Sequence, residues 1–235
     1  MNASVQSVSW VGLLIAFVPA AVVVLILLRW SLSAGTALYA FARMFLQLLL
    51  IGYVLTYVFE SEHALLVCGV LGLMLVVSSW IAMRPIQKKS RALYLRTLAA
   101  ICIGGVSTLI LVTQFVLDVQ PWYEPRFIIP LAGMIFASAM NAVSLSAERF
   151  ESERSRGADY LSARNTALQT SLIPLLNTLF AVGLVALPGM MTGQILAGVN
   201  PLIAARYQIV VMCMLFGSSG LAAALYLVLA RHSEE

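Results

Sequence analysis

The chain carries two histidines, three cysteines and ten carboxylates, and their placement decides which chemistry is open to it. His63 and His232 lie outside the long apolar stretches, and so does every Asp and Glu. Cys68, Cys102 and Cys213 lie inside them, at spacings that match no zinc pattern. They read as small apolar packing residues rather than as a disulfide or metal ligands. Gly217-Ser218-Ser219-Gly220 offers serines, but a serine nucleophile needs a base within hydrogen-bond reach. No apolar stretch holds a His or a Lys, and none holds a pair of Asp residues for an aspartyl dyad. The phosphate-cradling pattern G-x-x-x-x-G-K-[ST] is also absent, so ATP hydrolysis by that route is closed. We therefore expect no catalytic residue and no cofactor in this chain.

The polar residues that interrupt the apolar stretches are the other candidates. Tyr39, Arg43 and Gln47 recur at i, i+4 and i+8 and share one helix face. Arg43 either snorkels to a membrane surface or faces a polar interior. Gly133, Ala137 and Asn141 form a stripe, with Met134 and Ser138 beside it. Such a stripe serves close helix packing, a translocation path, or both. Pro188 and Gly189 should break their helix, because Pro removes a backbone donor and Gly adds no restraint. Gly189 and Gly193 also form a GxxxG pair. The candidate pathway is thus Arg43, Gln47, Met134, Ser138, Asn141, Pro188, Gly189, Met190 and Met191. Thioethers suit softer metals than iron and also serve as ordinary apolar filler, so the metal ligands stay open.

The elements that must carry these residues are membrane helices. Seven stretches, at 8–28, 36–59, 64–83, 97–117, 127–146, 171–197 and 208–230, are apolar and free of carboxylates. A bilayer-spanning helix needs about 20 apolar residues. The chain is 61% hydrophobic and only 10% charged, against roughly 25% charged in soluble domains. We expect an all-α polytopic membrane protein of seven spans in a single permease-like domain over residues 1–235. A weakly polar segment at 31–37 could form an interfacial helix leading into the second span. The first apolar run exceeds the 7–15 residues of a signal-peptide core and lacks a positive leader, so it reads as a retained span.

The net charge of +4 follows topology rather than nucleic-acid binding. Of fourteen Lys and Arg, eleven fall at one set of span ends: Arg29, Arg84, Lys88, Lys89, Arg91, Arg96, Arg149, Arg154, Arg156, Arg164 and Arg231. Arg126 and Arg206 fall at the other set. Positive residues collect on the cytoplasmic side, which predicts the N-terminus outside and the C-terminus inside. Residues 147–167 form the longest polar connection. Acid–base pairs such as Glu151 and Arg154 favour a solvated helix there. With no acid in any span, proton coupling is not expected. The protein is then either passive or powered by another chain, which could dock on residues 147–167. A passive channel and a non-transporting scaffold remain the alternatives.

Several motifs resemble one family. Arg43, Gln47-Leu48 and Gly52-Tyr53-Val54-Leu55 are similar to the R-x₃-Q-L-x₃-G-Y-V-L signature of FetB-type permeases. Ile129 to Ile135, Asn141-Ala142, Gly183 to Gly193, Gly198-Val199-Asn200-Pro201 and Tyr207 to Val210 resemble further motifs of that family. The family tends to carry a longer cytoplasmic segment before Ile173-Pro174, and here only Arg156-Gly157-Ala158-Asp159 is similar to it. The resemblance implies the membrane subunit of a bacterial ATP-binding-cassette system in the inner membrane, associated with iron or other metal export. It also implies a homodimer and a separate ATPase subunit that holds ATP and Mg. The charged segment 147–167 and this short likeness together give the expected docking residues Arg149, Arg154, Arg156, Gly157 and Ala158.

Overall fold

The computed structural model describes residues 9–60, 63–86 and 89–231. Val8, Glu62, Lys88 and His232, which enter the sequence argument, lie outside the described residues. The chain divides into two compact units, Met1–Glu60 and Ser61–Glu235. Among the described residues both are helical, with a lone bridge between Val182 and Ala186 and no strand.

In the first unit, α1 (Trp10–Ala16) starts on Ser9, whose hydroxyl accepts from the Gly12 amide at 3.1 Å. Phe17 ends it, and α2 (Val18–Arg29) follows at once with Pro19 in its first turn. A proline there costs no helix hydrogen bond. Ser31, at φ 57°, turns the chain into α3 (Ala34–Phe59). The interfacial helix expected at 31–37 is therefore a turn followed directly by α3. At 1.5 Å per residue, α3 is about 39 Å long, more than the roughly 30 Å hydrocarbon core. Phe17 and Phe41 meet edge to face, with ring centroids 6.3 Å apart.

The second unit is a bundle centred on two long helices. Its elements are α4 (Ala64–Ala82), α5 (Arg91–Ile110), α6 (Pro125–Ser155), α7 (Tyr160–Ala181), α8 (Gly189–Leu196) and α9 (Pro201–Arg231). The Ser90 hydroxyl caps α5 by accepting from the Leu93 amide at 3.1 Å. A π-helical segment, Leu111–Val116, prolongs α5. Helix α6 packs on α4, α5, α7 and α9, while α9 also meets α5, α7 and α8. Ile101, Ile135, Ala222 and Leu227 are fully buried where these helices meet.

Two adjacent glycines allow the closest approach. A Cβ on Gly104 would lie 2.7 Å from the Ala222 backbone nitrogen on α9. A Cβ on Gly105 would lie 2.9 Å from the Phe136 ring on α6. The GxxxG pair Gly189 and Gly193 is different, because a Cβ at either would meet nothing within 4 Å. Close packing thus sits at Gly104 and Gly105.

Among the described residues, six helical segments are long and apolar enough to cross a membrane: Trp10–Arg29, Ala34–Phe59, Ala64–Ala82, Arg91–Val116, Pro125–Ser155 and Pro201–Arg231. The apolar stretch 171–197 is not among them. Its first part belongs to α7, which starts eleven residues earlier and carries Arg164, Asn165 and Gln169. Its second part is α8, and between them Gly183 takes φ +84°. The break expected at Pro188 and Gly189 is present but wider: α7 ends at Ala181, and Pro188 is the N-cap of α8.

The interrupted segment nevertheless runs the length of α9. The Tyr160 hydroxyl donates to the Leu227 carbonyl at 3.1 Å, so α7 begins beside the end of α9. Four residues separate the end of α8 from the start of α9 at Pro201. From Pro201 to Leu227 is 26 residues along one helix, about 39 Å. Helix α7, the break and α8 together cover that distance.

Candidate functional site

Most buried hydroxyls in the second unit are satisfied within their own helix. Ser79 donates to Leu75, Thr97 to Leu93, Thr113 to Leu109 and Ser146 to Val143. Such back-bonding makes a hydroxyl neutral inside an apolar helix. Ser138 and Ser219 depart from this pattern. Their hydroxyls meet across the α6–α9 contact, Oγ to Oγ 2.7 Å.

That pair stands at the wall of a cavity of about 150 Å³ between α6, α7 and α9. Ser138 and Asn141 come from α6, Ser171, Pro174 and Thr178 from α7, and Ser219 from α9. Asn141 is 16 residues into a 31-residue helix, about 24 Å along its roughly 46 Å. The cavity therefore sits near mid-helix. Pro174, inside α7, forgoes one helix hydrogen bond, and its own carbonyl accepts from the Thr178 hydroxyl at 2.9 Å. Ser171 is buried and donates to the Leu168 carbonyl. Every polar group lining the cavity is a neutral hydroxyl or amide. An amide left against hydrocarbon costs roughly 2–7 kcal/mol, so this face belongs against protein, water or a passing polar solute. Among the described residues, no group of three or more His, Cys, Asp or Glu could hold a metal ion.

The second feature is the elbow joining α6 to α7. Its turn is short because Gly157 adopts φ +88°, a conformation that side chains oppose. The Asp159 carboxylate caps α7, accepting from Leu161 at 3.1 Å and Ser162 at 3.4 Å. Arg154 Nη1 donates to the Ala158 carbonyl at 2.8 Å, which closes the turn from the α6 side. Tyr160 then fastens the elbow to α9. Its ring meets Phe150 edge to face at 5.9 Å, and the Arg164 and Arg231 guanidiniums lie 5.8 and 5.7 Å from its centroid.

The sequence profile of an uncharacterised protein family, UPF0014, matches residues 9–233. The chain belongs to the UPF0014 family. It is 36% identical over 208 residues to UPF0014 membrane protein slr1647 of Synechocystis, covering 80% of each chain. It is 32% identical over 200 residues to the probable iron export permease protein FetB of Escherichia coli, covering 78% of this chain and 75% of that one. It is also 32% identical over 223 residues to Protein ALUMINUM SENSITIVE 3 of Arabidopsis thaliana, covering 86% and 80%. No solved structure matches it.

In this UPF0014 fold, Ser138 and Asn141 line the mid-helix cavity. Met134 stands one turn before Ser138 on α6, outside the cavity lining. Pro188, Gly189, Met190 and Met191 sit at the start of α8 and do not line it. Arg43 and Gln47 lie one turn apart on α3 in the first unit. Of the five docking candidates, Arg156 and Gly157 are exposed at the tip of the elbow. Arg154 and Ala158 bond to each other, and Arg149 pairs with Glu153 at 2.6 Å. Residues 147–167 are thus mostly two helices with a four-residue turn. Ser171, Pro174 and Thr178 were not among the candidate site residues, and Ser219 was weighed only as a nucleophile. The first three recur at i, i+3 and i+7, which was a legible one-face signal.

Proposed function

We propose that this chain is the membrane subunit of an ATP-driven exporter of metal ions, iron foremost, acting as a homodimer with a separate ATPase. The reading is supported by one observation above others. A chain similar to a protein named a probable iron export permease has, at mid-helix depth, a cavity whose polar side chains are all neutral hydroxyls or an amide. Neutral hydroxyl and amide oxygens let a cation pass without holding it, whereas carboxylates or imidazoles would retain it. Nothing lining the cavity titrates near neutral pH, so the energy must come from elsewhere. The elbow at Arg156 and Gly157 is the surface on which an ATPase, carrying ATP and Mg, would dock.

Seven crossings complete this reading, with α7 and α8 forming the interrupted one. The Arg-rich ends face the cytoplasm, the N-terminus lies outside, and the membrane is the bacterial inner membrane. Cysteine accessibility labelling at positions 63 and 89 tests the orientation, and labelling from the same side contradicts it. Purification with the ATPase encoded nearest the gene, followed by iron flux in proteoliposomes, tests the transport claim. ATP-dependent flux supports it. Flux without ATPase identifies a passive channel, and no flux under either condition favours a membrane scaffold.

A further inference from the structure

A second cavity, of about 330 Å³, opens at the Arg-rich end of the second unit and shares no lining residue with the mid-helix cavity. Arg96 from α5 and Arg154 from α6 both line it, joined by Ser90 and by Glu151. Two guanidiniums against one carboxylate leave the lining a formal charge of +1 at neutral pH. The rest of the wall is apolar and includes Leu93 and Phe150.

Its depth is that of a membrane surface. Arg96 lies five residues into α5, about 8 Å from the helix start, and the carboxylate-free apolar stretch begins with the next residue. Basic pockets between membrane helices at a cytoplasmic surface take anionic headgroups. Arginine matches phosphate oxygens in a two-pronged geometry. A phosphodiester carries one negative charge, which balances the lining. Its glyceride body would cover Leu93 and Phe150, which free phosphate would leave wet.

We propose that this cavity is a binding site for the phosphodiester headgroup of an anionic phospholipid. The proposal rests on the orientation proposed above, with the Arg-rich ends at the cytoplasm, and not on metal transport. The test is native mass spectrometry of the full chain in detergent, titrated with phosphatidylglycerol or phosphatidylcholine. Preferential retention of phosphatidylglycerol is expected. Arg96→Gln should weaken it about tenfold, the scale of one lost charge-assisted hydrogen bond, while phosphatidylcholine retention stays unchanged. Leu93→Glu, which keeps both arginines but adds a negative charge to the wall, should weaken it too. This second variant decides the matter if Arg96→Gln fails to fold. Equal retention of the two lipids, or unchanged phosphatidylglycerol retention in a folded variant, overturns the proposal. So does inorganic phosphate at millimolar concentration displacing phosphatidylglycerol, which would mark a site for free phosphate.

Discussion

Gly104→Ala should destabilise the second unit, and the geometry says by how much. The added methyl carbon would lie 2.7 Å from the Ala222 nitrogen, 3.0 Å from its Cα and 3.2 Å from its Cβ. Two of those three atoms are α9 backbone, so no side chain can rotate away. Helices α5 and α9 must separate instead, and overpacking of this kind costs about 1–3 kcal/mol. Alanine recovers up to about 1 kcal/mol of helix propensity over glycine. The net expectation is a loss of about 0–3 kcal/mol, or a melting temperature lower by up to roughly 12 °C in a chain of this size, and lower than that of a clash-free Gly→Ala change by the whole overpacking cost. Gly217→Ala and Gly220→Ala are the internal controls. They lie on the same α9 helix, with nothing within 4 Å of the new Cβ. They gain the propensity without the clash and should be neutral or slightly stabilising. Gly105→Ala should fall between, because its obstacle is the rotatable Phe136 ring at 2.9 Å. Thermal melts of the purified chain in one detergent compare all four variants. A Gly104→Ala protein as stable as Gly217→Ala would refute the close α5–α9 approach.

Three further outcomes follow from the same geometry. Tyr160→Phe keeps the ring near Arg164 and Arg231 but loses the bond to Leu227; it should cost about 0.5–1.5 kcal/mol, and Tyr160→Ala should cost more, as read by denaturation in mixed detergent. Ser138→Ala and Ser219→Ala remove one shared hydrogen bond, so a double-mutant cycle on melting should give a coupling of about 1 kcal/mol, and additive effects would deny the contact. Gly183→Ala places a side chain at φ +84° and should cost about 1–2 kcal/mol, whereas Pro188→Ala leaves the break in place because α7 already ends at Ala181; transport assays of the two variants should differ accordingly.

The membrane helices were legible because an apolar run free of carboxylates has few other fates. The stretch 64–83 became α4, and 36–59 became α3 with two more residues at its start. The fifth stretch was legible only in part. Its apolar face stops at Ser146, while hydrogen bonding carries α6 on to Ser155 through charged residues. The start of α7 was hidden for the same reason, since Arg164 to Gln169 give no apolar signal although Ala163 and Ala167 there are fully buried. Close packing was misplaced by pattern. Gly189 and Gly193 have the familiar spacing but open surroundings, while adjacent Gly104 and Gly105 serve two different partner helices. Of the cavity, Asn141 was found on a stripe with Gly133 and Ala137, and Ser138 beside it. Ser219 was weighed only as a nucleophile, because its contact with Ser138 spans 81 residues of sequence and no local spacing encodes it.

The central claim is that substrate passes through the neutral cavity between α6, α7 and α9. It is tested most directly by narrowing that cavity and measuring flux. Asn141 is exposed on α6 and lines the cavity, so Asn141→Leu exchanges its amide for apolar volume without disturbing buried packing. Iron efflux from proteoliposomes holding the chain and the proposed ATPase should fall at least tenfold in this variant, with complex formation and melting temperature unchanged. Full ATP-dependent flux through Asn141→Leu would contradict the account and place the pathway elsewhere in the fold.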